Sequence, residues 1–445
     1  MAEPESSSLP EPSLTFTLPS LHDGLALDCR VYHPASLSAS PKAPSWQKHA
    51  AVVAHPYAPL GGCYDDPVVD IVAATLLRLG LLVVTFNFRG AHGSAGRTSW
   101  TAKAESADYM SVVGFVSHYV HFLDPFHPAL LREPISPRVG SPTLTGSPIL
   151  LQAGYSYGAM VTTNLPPLDT VLAPFNTPTC GTPAAEIRLR AQHLAETQNT
   201  VLAGARAAAI DRQNGRSPRK ALGLRIGGDE ENRKSHDSRR SISSDFEERL
   251  HKGVAELMTK ARKGHRKHPI SGQSDEAQPA VDEAQKPTPV PEHLLPIPNR
   301  TTHRAAYLLI SPLQGVVTNL ATMSFPSPIT SLSSRLPTRS FSWSGRESPE
   351  ATTKHDERPK ELPTSDAEQK LILHPTLAIY GDRDSFVAAR KLRDWASRLE
   401  GVPNSKFRAH EVSSAGHFWV QGNAAIIMRD AVKVFTEGVL GNYEI

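Results

Sequence analysis

Cysteine is scarce: Cys29, Cys63 and Cys180 are the only three in 445 residues. An odd count without CxxC spacing excludes a disulfide framework and a zinc ribbon. Each cysteine is expected as a small, buried apolar residue in a reducing compartment. Charge of one sign is lacking too. With 47 Lys and Arg against 44 Asp and Glu, the net charge of +3 argues against nucleic-acid binding by the chain as a whole. No apolar run approaches the roughly 18 residues that a membrane helix needs. The opening "MAEPESSSLPEPS" is acidic and Pro/Ser-rich where a secretory signal is basic and then apolar. The closing "NYEI" resembles no lipidation or targeting signal. A cytoplasmic location is therefore expected. Aromatics make up 7% of the chain while prolines number 38. Part of the chain should thus bury little, leaving one domain of roughly 250 to 300 residues with loosely ordered additions.

What is present is an alternation of strand-like and helix-like segments. "LTFTLPS" and "LALDCRVYHP" read as two antiparallel strands, "AAVVAHP" as a buried strand, and "DDPVVDIVAATLLRLG" as an amphipathic helix stopped by Gly80. The strand "LLVVTFNFRG", the helix "ESADYMSVVGFVSHYVHFL" and the strand "PILLQ" follow. Such alternation predicts an α/β fold, a mostly parallel central sheet with helices on both faces. The pattern divides the chain into core over 13–174, a basic, partly helical or disordered insertion over 175–300, a core strand over 301–313, a Ser/Pro-rich lid or disordered insertion over 314–369, and core over 370–445. Within the first insertion, Ile187, Ala191, Leu194, Val201, Ala205 and Ala208 fall on one helical face. A second helix is expected over 245–263, where Ser244 and Glu247 have capping-box spacing.

The run "LLQAGYSYGAMVT" holds a G-x-S-x-G motif at 154–158. With 29 glycines in the chain, random order would produce about 0.2 such matches, so the letters alone carry little. Their context carries more: an apolar strand precedes Ser156 and a short helix, ended by Pro166 and Pro167, follows it. That is the setting in which a sharp turn holds a serine out at a sheet edge. A serine hydroxyl needs a histidine to take its proton and a carboxylate to orient the histidine. Downstream, "LAIYGDRD" and "EVSSAGHF" are strands running into Gly381 and Gly416, which supplies acid and base in the order Ser, acid, His. His417 is favoured as base over His374 and His410, which sit within or just before strand runs. Asp384 is favoured as acid, while Asp382 lies close enough to Gly381 to tie the turn to its own backbone. For the oxyanion, the backbone N–H of Tyr157 follows the nucleophile. A second N–H is expected from Tyr57 in "HPYAPLGG", since Pro56 has none. No His or Glu cluster accompanies the two aspartates, so neither metal nor cofactor is expected.

These motifs resemble those of the α/β-hydrolase superfamily, in particular the small intracellular hydrolases related to dienelactone hydrolase and the serine aminopeptidases. "HPYAPLGG" is similar to their oxyanion loop, "NFRGAHGSAGR" to the loop after the fourth strand, and "GYSYG", "GDRD" and "AGHF" to the three triad stations. The resemblance spans roughly 50–165, 304–315 and 370–440. It implies the α/β-hydrolase fold, Ser156 as nucleophile, Asp384 as acid and His417 as base. Dienelactone hydrolase itself uses a Cys nucleophile, so Ser156 points toward hydrolysis of an ester, thioester or small amide, with a small-molecule acyl substrate as partner. Tyr57 and Ala58 depart from the His-Pro of related loops, and a cap in this superfamily commonly corresponds to 314–370 here.

A different function class competes with the enzyme. Residues 205–270 carry 17 Lys and Arg against 9 Asp and Glu. The basic amphipathic stretch over 245–268 fits weak contact with an anionic membrane or an acidic protein, so a catalytically weak interaction module is the alternative. "SRRSISS" further reads as an Arg-directed phosphorylation site at Ser241.

Overall fold

The computed structural model describes residues 8–126, 146–214, 292–314 and 366–441. The basic stretch 245–268, the capping-box helix, Ser241 and residues 315–365 of the Ser/Pro-rich stretch lie outside the described residues.

Eight strands form one sheet: β1 Leu14–Pro19, β2 Ala26–Tyr32, β3 Ala50–Ala54, β4 Leu82–Phe86, β5 Ile149–Tyr155, β6 Arg304–Ile310, β7 Thr376–Gly381 and β8 Phe407–Val412. Their order is β1-β2-β4-β3-β5-β6-β7-β8. β1 runs antiparallel to β2 and β2 antiparallel to β4, while every later pair is parallel. This is the α/β-hydrolase fold expected from the sequence. The central strands β3, β4 and β5 are buried at every position, because helices cover both faces and polar alternation has no place there.

Two apolar cores result, one on each face. On one side α1 Pro67–Arg78 and α8 Ala424–Leu440 pack against β3, β5, β6 and β7. On the other lie α2 Lys103–Phe122, α3 Tyr157–Asn164, α4 Leu168–Leu172, α5 Pro183–Gln213, α6 Asp366–Leu373 and α7 Ala389–Glu400. α1 starts where Asp66 caps it and Pro67 occupies the first turn, where a missing N–H costs nothing. The Tyr109 hydroxyl of α2 donates to Ala153 O at 2.9 Å and lies 3.2 Å from Val52 O, fastening that helix to the sheet just before the G-x-S-x-G turn.

The loop after β4 is held by an ion cluster in which Arg89 and Asp108 are buried and Asp23 is exposed. Arg89 donates to both oxygens of Asp108 at 2.9 and 2.6 Å and to Asp23 at 2.9 Å, and Ser20 donates to Asp108 at 2.6 Å. Asp108 is fully buried, so the cluster joins β1, the β4 loop and α2 at one point.

Two expectations are corrected. The apolar stripe of α5 is buried at Ile187, Ala191 and Leu194, but Val201 is 55% exposed and Ala205 is exposed. The helix outruns α2 and β1, the surfaces its first half covers. Arg190, at the buried end, donates to Thr17 O at 2.6 Å. Of the cysteines only Cys29 is buried; Cys63 and Cys180 are partly exposed, and all three are free thiols.

Candidate active site

The two motif glycines are explained by what surrounds them. A Cβ on Gly154 would lie 2.3 Å from the Gly158 carbonyl carbon, and one on Gly158 would lie 2.6 Å from Ala54 O and 2.7 Å from His55 O. Only hydrogen at these positions lets α3 start directly against the ends of β5 and β3. Ser156 sits between them at φ 55°, ψ −111°, a strained conformation for a residue with a side chain. Its N–H donates to Ile310 O of β6 at 2.8 Å.

The chain ends after β7 and β8 bring two further side chains to this serine. His417 Nε2 lies 2.8 Å from Ser156 Oγ, and His417 Nδ1 lies 2.7 Å from Asp384 Oδ2. Asp384 has a fully buried side chain, and its Oδ1 accepts the N–H groups of Phe386 at 2.8 Å and Val387 at 3.0 Å. A carboxylate can only accept. Nδ1 of His417 therefore carries the proton, and Nε2 is left to accept from the serine hydroxyl. The imidazole is packed by Phe386, Phe418 and Tyr155, with ring centroids at 4.5, 5.5 and 5.7 Å. Asp382 takes another role than expected. Its Oδ1 accepts the N–H of Ser414 at 2.7 Å, so it ties the β7 loop to the β8 loop rather than to its own backbone.

The rings of Tyr57 and Tyr157 meet with centroids 5.1 Å apart. Tyr157 opens α3, where the first N–H groups of a helix have no internal acceptor. Neither backbone N–H has an acceptor among the described residues. The loop carrying Tyr57 is shaped by His55, a residue sequence reasoning passed over. The Phe88 N–H donates to His55 Nε2 at 2.9 Å, so Nδ1 bears the proton and donates to Pro56 O at 2.6 Å. Burial pushes the imidazole pKa down to about 4, which keeps it neutral and able to do both. The signal available in the sequence was a histidine directly after a buried strand and directly before Pro56.

Ser156 and His417 open into a pocket of about 330 Å³ walled by Tyr57, Leu60, Leu313, Phe386 and Phe418, with Gly61, Gly62 and Asp66 along one side. Leu60 and Phe418 are 74% and 58% exposed, so the mouth is apolar. Burial raises the Asp66 carboxyl above its ordinary value, against the lowering effect of the Val68 and Val69 N–H groups. Among the described residues no group of three or more His, Cys, Asp and Glu is arranged to hold a metal ion. No helix there is long and apolar enough to cross a membrane. Chemically, the arrangement offers a hydroxyl with a proton acceptor behind it, a carboxylate behind that, and free N–H groups beside it.

No family model matches the chain, and no curated protein matches it. Among solved structures it is similar to an α/β serine hydrolase without a lid from Xanthomonas campestris, with 16% identity over 97% of this chain and 96% of that one and a TM-score of 0.38. It is also similar to an α/β serine hydrolase homologue from Coxiella burnetii, with 12% identity over 96% and 99% and a TM-score of 0.39. An esterase from Pyrococcus furiosus shares 9% identity over 95% and 89%, with a TM-score of 0.39.

Proposed function

We propose that this chain is a serine hydrolase that cleaves a carboxylic ester, thioester or small amide through an acyl-enzyme on Ser156. The observation that carries this reading is the relay from Ser156 Oγ to His417 Nε2 and from His417 Nδ1 to Asp384 Oδ2, with links of 2.8 and 2.7 Å. As Oγ attacks the carbonyl carbon, its proton passes to Nε2. Asp384 stabilises the imidazolium while remaining a carboxylate. The oxygen of the tetrahedral intermediate accepts the N–H groups of Tyr157 and Tyr57. Collapse expels the alcohol, thiol or amine, which takes the proton from His417. A water molecule then gives a proton to His417 as it attacks the acyl carbon, and collapse breaks the bond to Oγ, which takes that proton back from His417 and leaves the free acid and Ser156 as a hydroxyl.

The test is labelling with a fluorophosphonate probe, which reacts with an activated serine. Wild type should be labelled and Ser156→Ala should not, with esterase rate lower by about a thousandfold or more. Equal hydrolysis of activated esters by the two proteins would sink the proposal.

A further inference from the structure

We propose that Asp66 acts as a charge filter in this pocket, favouring acyl substrates that carry a protonated amine and rejecting those that carry an anion; the inference rests on the serine hydrolase reading above. Among the described residues lining the pocket with Ser156 and His417, Asp66 is the only Asp, Glu, Lys or Arg. Its two carboxylate oxygens have separate fates. Oδ1 accepts both cap bonds, from Val68 N at 2.8 Å and Val69 N at 3.4 Å. Oδ2 has no partner among the described residues.

Capping α1 does not account for a carboxylate here, because Asn and Ser cap a helix about as well as Asp. What Asp adds is a negative charge at a cavity whose lining, apart from Ser156 and His417, is otherwise apolar, aromatic or glycine. In such surroundings charge interactions are less screened than in water. A neutral acyl group would cover Oδ2 and strip its water without replacing the hydrogen bonds, which is unfavourable. A carboxylate or phosphate on the acyl group would be repelled. An ammonium group supplies both the charge and the donors that Oδ2 lacks, and the faces of Tyr57, Phe386 and Phe418 are further favourable neighbours for a cation. The pocket volume of about 330 Å³ matches a short acyl group bearing one such nitrogen, at the lower end of small-molecule sites.

The experiment compares kcat/KM for three p-nitrophenyl esters of equal chain length: β-alaninate, butanoate and hemisuccinate, which end in ammonium, methyl and carboxylate. Wild type should prefer the ammonium ester over the methyl ester, and the methyl over the carboxylate. Asp66→Asn and Asp66→Ser, both of which keep a capping side chain, should shrink the ammonium-to-carboxylate ratio by about tenfold or more. A wild-type ratio near one, or a ratio equal in wild type and both variants, overturns the charge filter. Failure of the hydrolase reading would look different: Ser156→Ala would turn over all three esters as fast as wild type. Calorimetry with butylammonium and with butanol decides the filter without any catalysis. Butylammonium should bind wild type about tenfold more tightly than it binds Asp66→Asn, and equal affinities would overturn the proposal.

Discussion

The hydroxyl of Tyr155 donates to the main-chain oxygen of His417 at 2.9 Å, although 262 residues separate them. The residue just before the serine thus holds the loop that presents the histidine. Removing this bond in Tyr155→Phe should cost about 1 kcal/mol and let the imidazole wander from Ser156. Steady-state kinetics should show kcat lower by several-fold at an unchanged KM. An unaltered kcat would mean that ring packing alone positions His417.

Gly158→Ala should damage the site more than the fold. The new methyl would press on Ala54 O and His55 O, backbone atoms that cannot swing away, at a cost of about 1–3 kcal/mol in stability. Because it would part α3 from the Tyr57 loop, esterase kcat should fall by about a hundredfold. Full activity at a lowered melting temperature would contradict this.

Asp108→Ala should be among the most destabilising surface-distant changes in the chain. It would leave the Arg89 guanidinium, with a side chain only 5% exposed, without its main counter-charge, at a cost of about 3–5 kcal/mol. Urea unfolding measures this directly, and a loss below about 1 kcal/mol would show that Asp23 alone can hold Arg89.

Lys370 makes stability depend on pH. Its Nζ is buried and donates to the carbonyls of Thr162 and Leu165, at the C-terminal end of α3. Burial pushes its pKa down to about 7, whereas an unfolded lysine titrates near about 10.4. Between these values the unfolded chain holds a proton that the folded chain has released, so stability should rise with pH through that window, by at most about 1.4 kcal/mol per unit. Below about pH 7 both states are protonated and the full penalty is present. Lys370→Met should remove this slope in denaturation series from pH 6 to 10; an identical slope in both proteins would rule Lys370 out as its source.

The strands and most helices were legible because burial on both sheet faces writes continuous apolar runs, as in "AAVVAHP" and "PILLQ", and because Asp66-Pro67 and Gly80 punctuate α1. Ser156, Asp384 and His417 were legible as candidates because each follows a strand end with a small residue nearby. Less legible were effects that join distant parts of the chain. Nothing local in "GYSYG" says that the Tyr155 hydroxyl reaches the His417 loop. Asp66 reads as a helix cap whatever its free oxygen faces, and Lys370 reads as a surface lysine in "AEQKLIL". In α5 the helical period continues past Leu194, but periodicity reports which side of a helix is apolar and not how far its neighbours extend.

The bond from the Ser156 N–H to Ile310 O, together with the pairing of β5 along all of β6, bears on the order of events during synthesis. When Ser156 leaves the ribosome, the strand that must lie beside it has not yet been translated, and the β6-facing edge of β5, a strand apolar but for Gln152, stands open. The nascent chain should remain unreactive toward the fluorophosphonate probe until after Ile310 has emerged, and until then it should be a natural client for holding chaperones that shield unpaired strands.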